Sequence, residues 1–243
     1  MTTPRFHIPV PLSVAATLNL PEAAAHHAAR VLRLRSGDAV TLFNGQGGEY
    51  AAQITAIGKH AVTVAIERHD PVERESPLPV TLVQALSSGE RMDLTIQKAV
   101  ELGVTRIVPV ESERSVVRLK GERAGKRVAH WQQVAISACE QCGRNCIPEV
   151  RMISPLAVWL AAEVTDAQRW LLLPGADAAL RDLPRPQKPI ELLVGPEGGL
   201  TDAEVDAAQR AGYQPVRLGP RVLRTETAAP ALLAALQALW GDF

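Results

Sequence analysis

The spacing of apolar positions changes once along this chain. Before about residue 70 the apolar runs are short, β-branched and partly alternating, as in Ala39-Val40-Thr41-Leu42-Phe43 and Ala61-Val62-Thr63-Val64-Ala65-Ile66. Such runs predict strands with one buried face. Asn44-Gly45 and Gly47-Gly48 mark turns between them. Residues 22–32 carry the one helical pattern, so this part reads as a small β-barrel with one helix. Residues 70–79, DPVERESPLP, are rich in proline and charge and read as a domain boundary. The expected domains are therefore 1–72 and 73–243.

From Val80 onward, strand and helix patterns alternate. Strands are expected at 80–86, 106–110, 169–173, 190–194 and 216–218. Helices are expected at 91–102, 125–141, 155–163 and 229–239. This order predicts a mostly parallel sheet covered on both faces. Residues 190–194, IELLV, are almost wholly apolar and run into Gly195-Pro196-Glu197-Gly198-Gly199. Thr201 and Glu204 then have the spacing of a capping box that opens a helix. The strand at 216–218 runs into Gly219-Pro220-Arg221 and then VLRTET. Two loops of ligand-binding type thus leave the C-terminal ends of two strands, expected to be neighbours, where α/β sheets bind small ligands. Two tight βα turns would explain the glycines. They would not explain Arg221, Arg224, Glu226, Thr225 and Thr227 in the same short span.

Charge narrows the picture. Lys and Arg together number 26, as do Asp and Glu, so the formal net charge is zero and any nucleic-acid contact must come from a local patch. Residues 112–131 hold six cations against two acids. Arg114, Arg118, Lys120 and Arg123 are candidates there for RNA phosphate contacts, the alternative being a solvated face. Arg30, Arg33 and Arg35, with Arg5 and His7, form a second candidate RNA-binding group. The adjacent His26 and His27 would point in different directions on a helix and are not read as metal ligands. Cys139, Cys142 and Cys146 would lie near one helix face, where cysteine acts as a small hydrophobe, and no metal is expected. Three cysteines fit a reducing compartment, hence cytoplasm. No signal-peptide pattern opens the chain, and its longest apolar run, 228–236, is too short to span a bilayer. Neither a G-x-G-x-x-G nor a Walker pattern is present, which disfavours nicotinamide or ATP chemistry.

LLVGPEGGLT followed by LGPRVLRTETAA resembles the SPOUT superfamily of methyltransferases. Within it, the chain is similar to the ribosomal-RNA uridine-N3 methyltransferases that act on small-subunit 16S rRNA. ESPL at 75–78, IQKAVELGV at 96–104 and ACEQCGRN at 138–145 extend the resemblance over essentially the whole chain. The resemblance implies an α/β, trefoil-knotted methyltransferase domain preceded by a PUA-like β-barrel that binds RNA. It also implies S-adenosylmethionine as cofactor, a homodimer, and 16S rRNA within an assembled small subunit as partner. Leu172, Leu173, Gly195, Pro196, Glu197, Gly198, Gly199, Leu218, Gly219, Arg221, Leu223, Thr225 and Thr227 are the expected cofactor-binding residues. Arg224 is the candidate for stabilising charge on the uracil, and Glu226 for assisting the proton's departure or bracing Arg224. Arg144 either satisfies a helix end or serves the active site of a second subunit, where the resemblance places this segment. A SPOUT enzyme acting on another base or a ribose 2′-oxygen is an alternative, although Gln84 to Gly89 lacks that class's asparagine–arginine motif. A non-catalytic RNA-binding adaptor is the other alternative.

Overall fold

The computed structural model describes residues 3–59, 61–162 and 166–243. It divides into two compact units. The first comprises Met1–Glu75 with Cys139–Ile147, and the second Ser76–Ala138 with Pro148–Phe243. The sequence pattern put a boundary at 72/73 and gave no sign that 139–147 returns to the first unit.

The first unit is built on a five-stranded sheet. Its strands are β1 (Arg5–His7), β2 (Thr17–Asn19), β3 (Ala39–Phe43), β4 (Glu49–Ile57) and β5 (Val62–Asp70), in the order β1-β3-β4-β5-β2. β1 pairs parallel to β3, and the other pairs are antiparallel. Its core is aliphatic, built on Ile8, Leu20, Val40, Leu42, Ile54, Val62, Val64 and Ile66, with Phe6 as the buried ring. The helical pattern at 22–32 resolves into α1 (Glu22–His26) and a π-helical turn over His27–Val31. Arg33 follows with φ of 54°, unusual for a side chain with a Cβ.

The second unit is the alternating one. Its strands are β6 (Val80–Ala85), β7 (Arg106–Glu111), β8 (Glu149–Val150), β9 (Ser154–Pro155), β10 (Gln168–Leu172), β11 (Ile190–Val194) and β12 (Gln214–Val216). All its pairs are parallel, in the order β12-β10-β11-β6-β7-β8, with β9 also on β7. β11 is buried at every position, as its unbroken apolar run requires. The helices are α2 (Glu90–Glu101), α3 (Gly121–Cys142), α4 (Leu156–Ala161), α5 (Asp202–Arg210) and α6 (Thr225–Trp240). Glu163, where the pattern ended one helix, lies outside the described residues. Among the described residues no helix is long and apolar enough to cross a membrane.

Two expectations are corrected. β11 and β12 are not neighbours, because β10 lies between them. Strand order is a matter of long-range pairing that apolar runs do not encode. α6 begins at Thr225 rather than at 229, so the Thr-Glu-Thr run forms its first turn and Pro230 lies inside the helix. Proline has no N–H to donate four residues back, so the Glu226 carbonyl lacks its helical partner. Gln237 explains how the apolar α6 is fastened. Buried, it donates from Nε2 to the Leu102 carbonyl at 2.9 Å and accepts from Ser76 Oγ at 2.8 Å. Gly103 ends α2 with φ of +83°, and a Cβ there would lie 2.8 Å from Gln237 Nε2.

Candidate functional site

A cavity of about 380 Å³ opens at the C-terminal ends of the second unit's strands. Its apolar walls include Leu171 and Leu172 at the end of β10, Leu173 just after it, Val194 at the end of β11, and Leu218 and Leu223 after β12. Gly195, Pro196, Glu197, Gly199 and Leu200 form one rim. Gly219, Arg221, Val222, Arg224, Thr225 and Glu226 form another. Three strands therefore supply it: β10 and the two on either side.

Hydrogen bonds hold the rims together. Thr225 Oγ1 donates to the Gly195 carbonyl at 2.9 Å and accepts from Gln84 Nε2 at 3.2 Å. The start of α6 is thereby tied to the ends of β11 and β6. The glycine-rich loop turns on itself through Gly199 N–H to the Pro196 carbonyl at 2.9 Å, and Gly199 has φ of +69°. Only glycine adopts that conformation without strain. The capping box at Thr201 and Glu204 forms as its spacing predicts, so α5 begins where the loop ends. Glu197 is anchored through one oxygen. Oε1 accepts from Ser88 N–H at 2.8 Å, Ser88 Oγ at 2.9 Å and Arg91 Nη1 at 3.0 Å. Burial alone would raise this carboxyl's pKa, but the bonds from Ser88 and Arg91 outweigh burial and hold it below its ordinary range. Arg91 Nε also faces Glu226 Oε1 at 3.7 Å.

Most of the expected cofactor residues line this cavity. Gly198 and Thr227 do not. A Cβ on Gly198 would meet Arg114 Cβ at 3.2 Å, and Thr227 is exposed. Arg91, Arg217 and Leu200 line it and were missed. Arg91 could have been found from its position just after Gly89, past the end of a central strand. Arg217 fixes the loop after β10 by donating to the Ala176 and Asp177 carbonyls.

The candidate RNA residues fall into two groups. Arg5 ion-pairs with Glu49, donates to Asn145 Oδ1 at 2.6 Å, and sits over the Phe43 ring at 5.1 Å. Its side chain is 11% exposed, so internal contacts hold the guanidinium away from an outside phosphate. His7 is partly buried, which lowers its pKa despite a hydrogen bond with the Asn44 backbone and disfavours the cation a phosphate would need. Arg114 donates to the Gly198 and Leu200 carbonyls at 3.2 and 3.3 Å. Arg118 pairs with Glu111 at 2.7 Å and donates to the Glu113 carbonyl at 2.7 Å. Both therefore brace the β7–α3 loop. Arg30, Arg33, Arg35, Lys120 and Arg123 are exposed, as Arg114 and Arg118 also are beside their internal bonds.

Arg144 lies in the first unit, 4% exposed, with its guanidinium paired to Glu75. Burial opposes its charge, but the Glu75 carboxylate more than compensates and raises its pKa. Within one chain Arg144 is thus held by Glu75, a partner that the sequence did not single out. Cys139 is buried and its thiol is pushed up to about 12 by burial, which disfavours the thiolate a metal needs. Among the described residues Glu73, Glu75 and Cys146 bring ligand atoms within 4.8 Å of one another. Glu75 is already committed to Arg144, and Glu73 accepts from the Gly48 N–H.

Comparison with known proteins gives the family. Residues 74–237 match an RNA methyltransferase domain, and residues 20–67 an RNA methyltransferase PUA domain. A ribosomal RNA small subunit methyltransferase E of Buchnera aphidicola is 34% identical over 98% of this chain and 97% of its own length. A ribosomal RNA small subunit methyltransferase E of Neisseria gonorrhoeae, solved bound to S-adenosyl methionine, is 45% identical over 100% of both chains, with a TM-score of 0.93. A protein of Legionella pneumophila solved in complex with the same cofactor is 40% identical over 100% of both chains, with a TM-score of 0.94. By full-length similarity on the same fold, this chain belongs to the ribosomal RNA small subunit methyltransferase E family.

Proposed function

We propose that this chain binds S-adenosylmethionine in the cavity beside β10 and methylates N3 of a uridine in 16S rRNA, within an assembled small subunit. The observation that carries the reading is the cavity itself, where an apolar slot meets a glycine-rich rim and Arg224 and Glu226 stand together at the other rim. These residues fit the cofactor. Its adenine needs apolar walls with main-chain donors and acceptors, which Leu172, Leu173, Leu218 and Leu223 and the two loops provide. Its amino group and sulfonium are cationic, and Glu197 and Glu226 are the carboxylates lining the cavity, each beside Arg91. When bound, S-adenosylmethionine supplies an electrophilic methyl group.

The chain's own residues must do the rest. N3 of uridine is a poor nucleophile while it carries its proton, so a group must accept that proton. Glu226, a carboxylate on the rim, is the acceptor in this reading. As the ring loses its proton, negative charge spreads onto its oxygens. Arg224 stands at the N-cap of α6, where its guanidinium and the positive end of the helix favour that charge. Exposed Arg30, Arg33, Arg35, Lys120 and Arg123 would hold RNA phosphates.

The reading includes the SPOUT superfamily's trefoil-knotted chain path. Its support is the chain's membership of the methyltransferase family that the sequence motifs resemble. It includes a cytoplasmic homodimer, with Arg144 serving a second subunit once its pair with Glu75 opens, and no metal. Nucleoside mass spectrometry of small-subunit rRNA from cells with and without this gene tests the function. One 3-methyluridine is expected to disappear; its persistence would overturn the reading.

A further inference from the structure

Arg91 was not a sequence candidate, yet it stands between the site's two carboxylates. It lies in the first turn of α2, after Gly89 with φ of +58°. Nη1 reaches Glu197 Oε1 at 3.0 Å and Ser88 Oγ at 2.9 Å. Nε, on the other side of the fork, faces Glu226 Oε1 at 3.7 Å. The two carboxylates differ in how much they depend on it. Glu197 keeps both Ser88 donors if Arg91 is removed. For Glu226, Arg91 is the one ion-pair partner among the described residues. A guanidinium can face two acids at once in a fixed geometry, whereas an ammonium is a point charge on a flexible stem.

We infer that Arg91 is a positioning residue that holds the Glu226 carboxylate at the cavity rim, using the anchored Glu197 as its fixed point. The inference rests on the reading of Glu226 as proton acceptor. Arg91 acts through Glu226, so its loss slows the methyl-transfer step and leaves cofactor affinity nearly intact. A misplaced acceptor costs about a hundredfold in rate.

The test uses full-length protein and small ribosomal subunits from cells lacking this gene. Single-turnover methyl transfer and calorimetric binding of S-adenosylmethionine are measured for wild type, Arg91→Gln, Arg91→Lys, Glu226→Gln and the Arg91→Gln/Glu226→Gln pair. Arg91→Gln is expected to lose about a hundredfold in rate, with cofactor affinity within about twofold of wild type. Arg91→Lys should recover part of the rate, because it restores the charge without the fork. The pair should be no slower than Glu226→Gln alone, because a positioning residue has nothing left to position. Multiplying losses, or a fall in cofactor affinity equal to the fall in rate, would overturn the inference while the proposed function stands. A Glu226→Gln variant as fast as wild type would remove Glu226 from the chemistry and the inference with it. A wild type that neither binds the cofactor nor methylates would overturn the proposed function itself.

Discussion

Gly198 is instructive because it belongs to the glycine-rich loop without lining the cavity. Its φ is not in the left-handed region, and a Cβ there would press on Arg114 at 3.2 Å. Gly198→Val is therefore an overpacking substitution that pushes the loop off its brace. About 1–3 kcal/mol is expected for such strain. Where binding has to restore the displaced loop, that corresponds to roughly a five- to 150-fold loss of S-adenosylmethionine affinity at about 1.4 kcal/mol per decade. Calorimetry on a folded variant checks it, and unchanged affinity would show that the loop's position does not matter to binding. At Glu226 the expectation is opposite: Glu226→Gln should lower the transfer rate by about 10²–10⁴-fold while cofactor affinity holds. Residue identity made much of this site legible, because glycines, two arginines, a glutamate and threonines crowded where turns need few of them. It did not show which way each side chain faces. Gly198 and Thr227 share the motifs but not the cavity, and Arg91 shares the cavity but not the motifs.

Elements explain why the basic span needs dividing. The β7–α3 loop is held by Arg114 on the Gly198 and Leu200 carbonyls and by Arg118 on Glu111 and the Glu113 carbonyl. These two have internal work to do. Lys120→Gln with Arg123→Gln should weaken RNA binding and flatten its salt dependence by about 0.7 in log–log slope per lost contact to single-stranded RNA. Arg118→Gln should instead lower the melting temperature and leave that slope unchanged; filter binding across a salt series separates them. The link from α2 to the glycine-rich loop has a pH signature. The Glu197 carboxyl lies below its ordinary range in the folded protein, so the folded state binds fewer protons there than the unfolded chain. Its contribution is present above the ordinary carboxylate range and is lost as pH falls through the lowered folded value. Glu197→Gln should flatten the acid limb of thermal stability relative to wild type. Elements as such were the most legible level. The apolar run 39–43 is β3 and 190–194 is β11, since a period of two or an unbroken apolar run leaves little choice. The insertion of β10 between β11 and β12 was not legible, because local pattern carries no strand order.

At the scale of the whole molecule the open quantity is the proposed dimer, and α6 is where the sequence raised it. A helix apolar on every face must be covered on every face. One chain already covers most of this one: Ala228, Ala229, Leu232, Leu233 and Leu236 are buried, and the polar Gln237 is bonded between Leu102 and Ser76. The apolar pattern is thus satisfied largely within the subunit, and it does not by itself require a second copy. What remains open is the C-terminal end, where Leu239 is 44% and Phe243 69% exposed. The two leucines therefore separate subunit core from interface. Leu236→Glu puts a charge where no water reaches, so misfolded, insoluble protein is expected whatever the assembly state. Leu239→Glu places its charge at a half-open position and should fold. In the proposed homodimer it lies where a second copy would close the helix end, as closed two-fold pairing commonly does. Light scattering should then show the mass of Leu239→Glu falling from two chains toward one at assay concentration. Methyl transfer should fall with it, because the reading draws Arg144 from a second copy. If wild type scatters as one chain and is fully active, Arg144 has no second subunit to serve and acts within its own chain, where it pairs with Glu75.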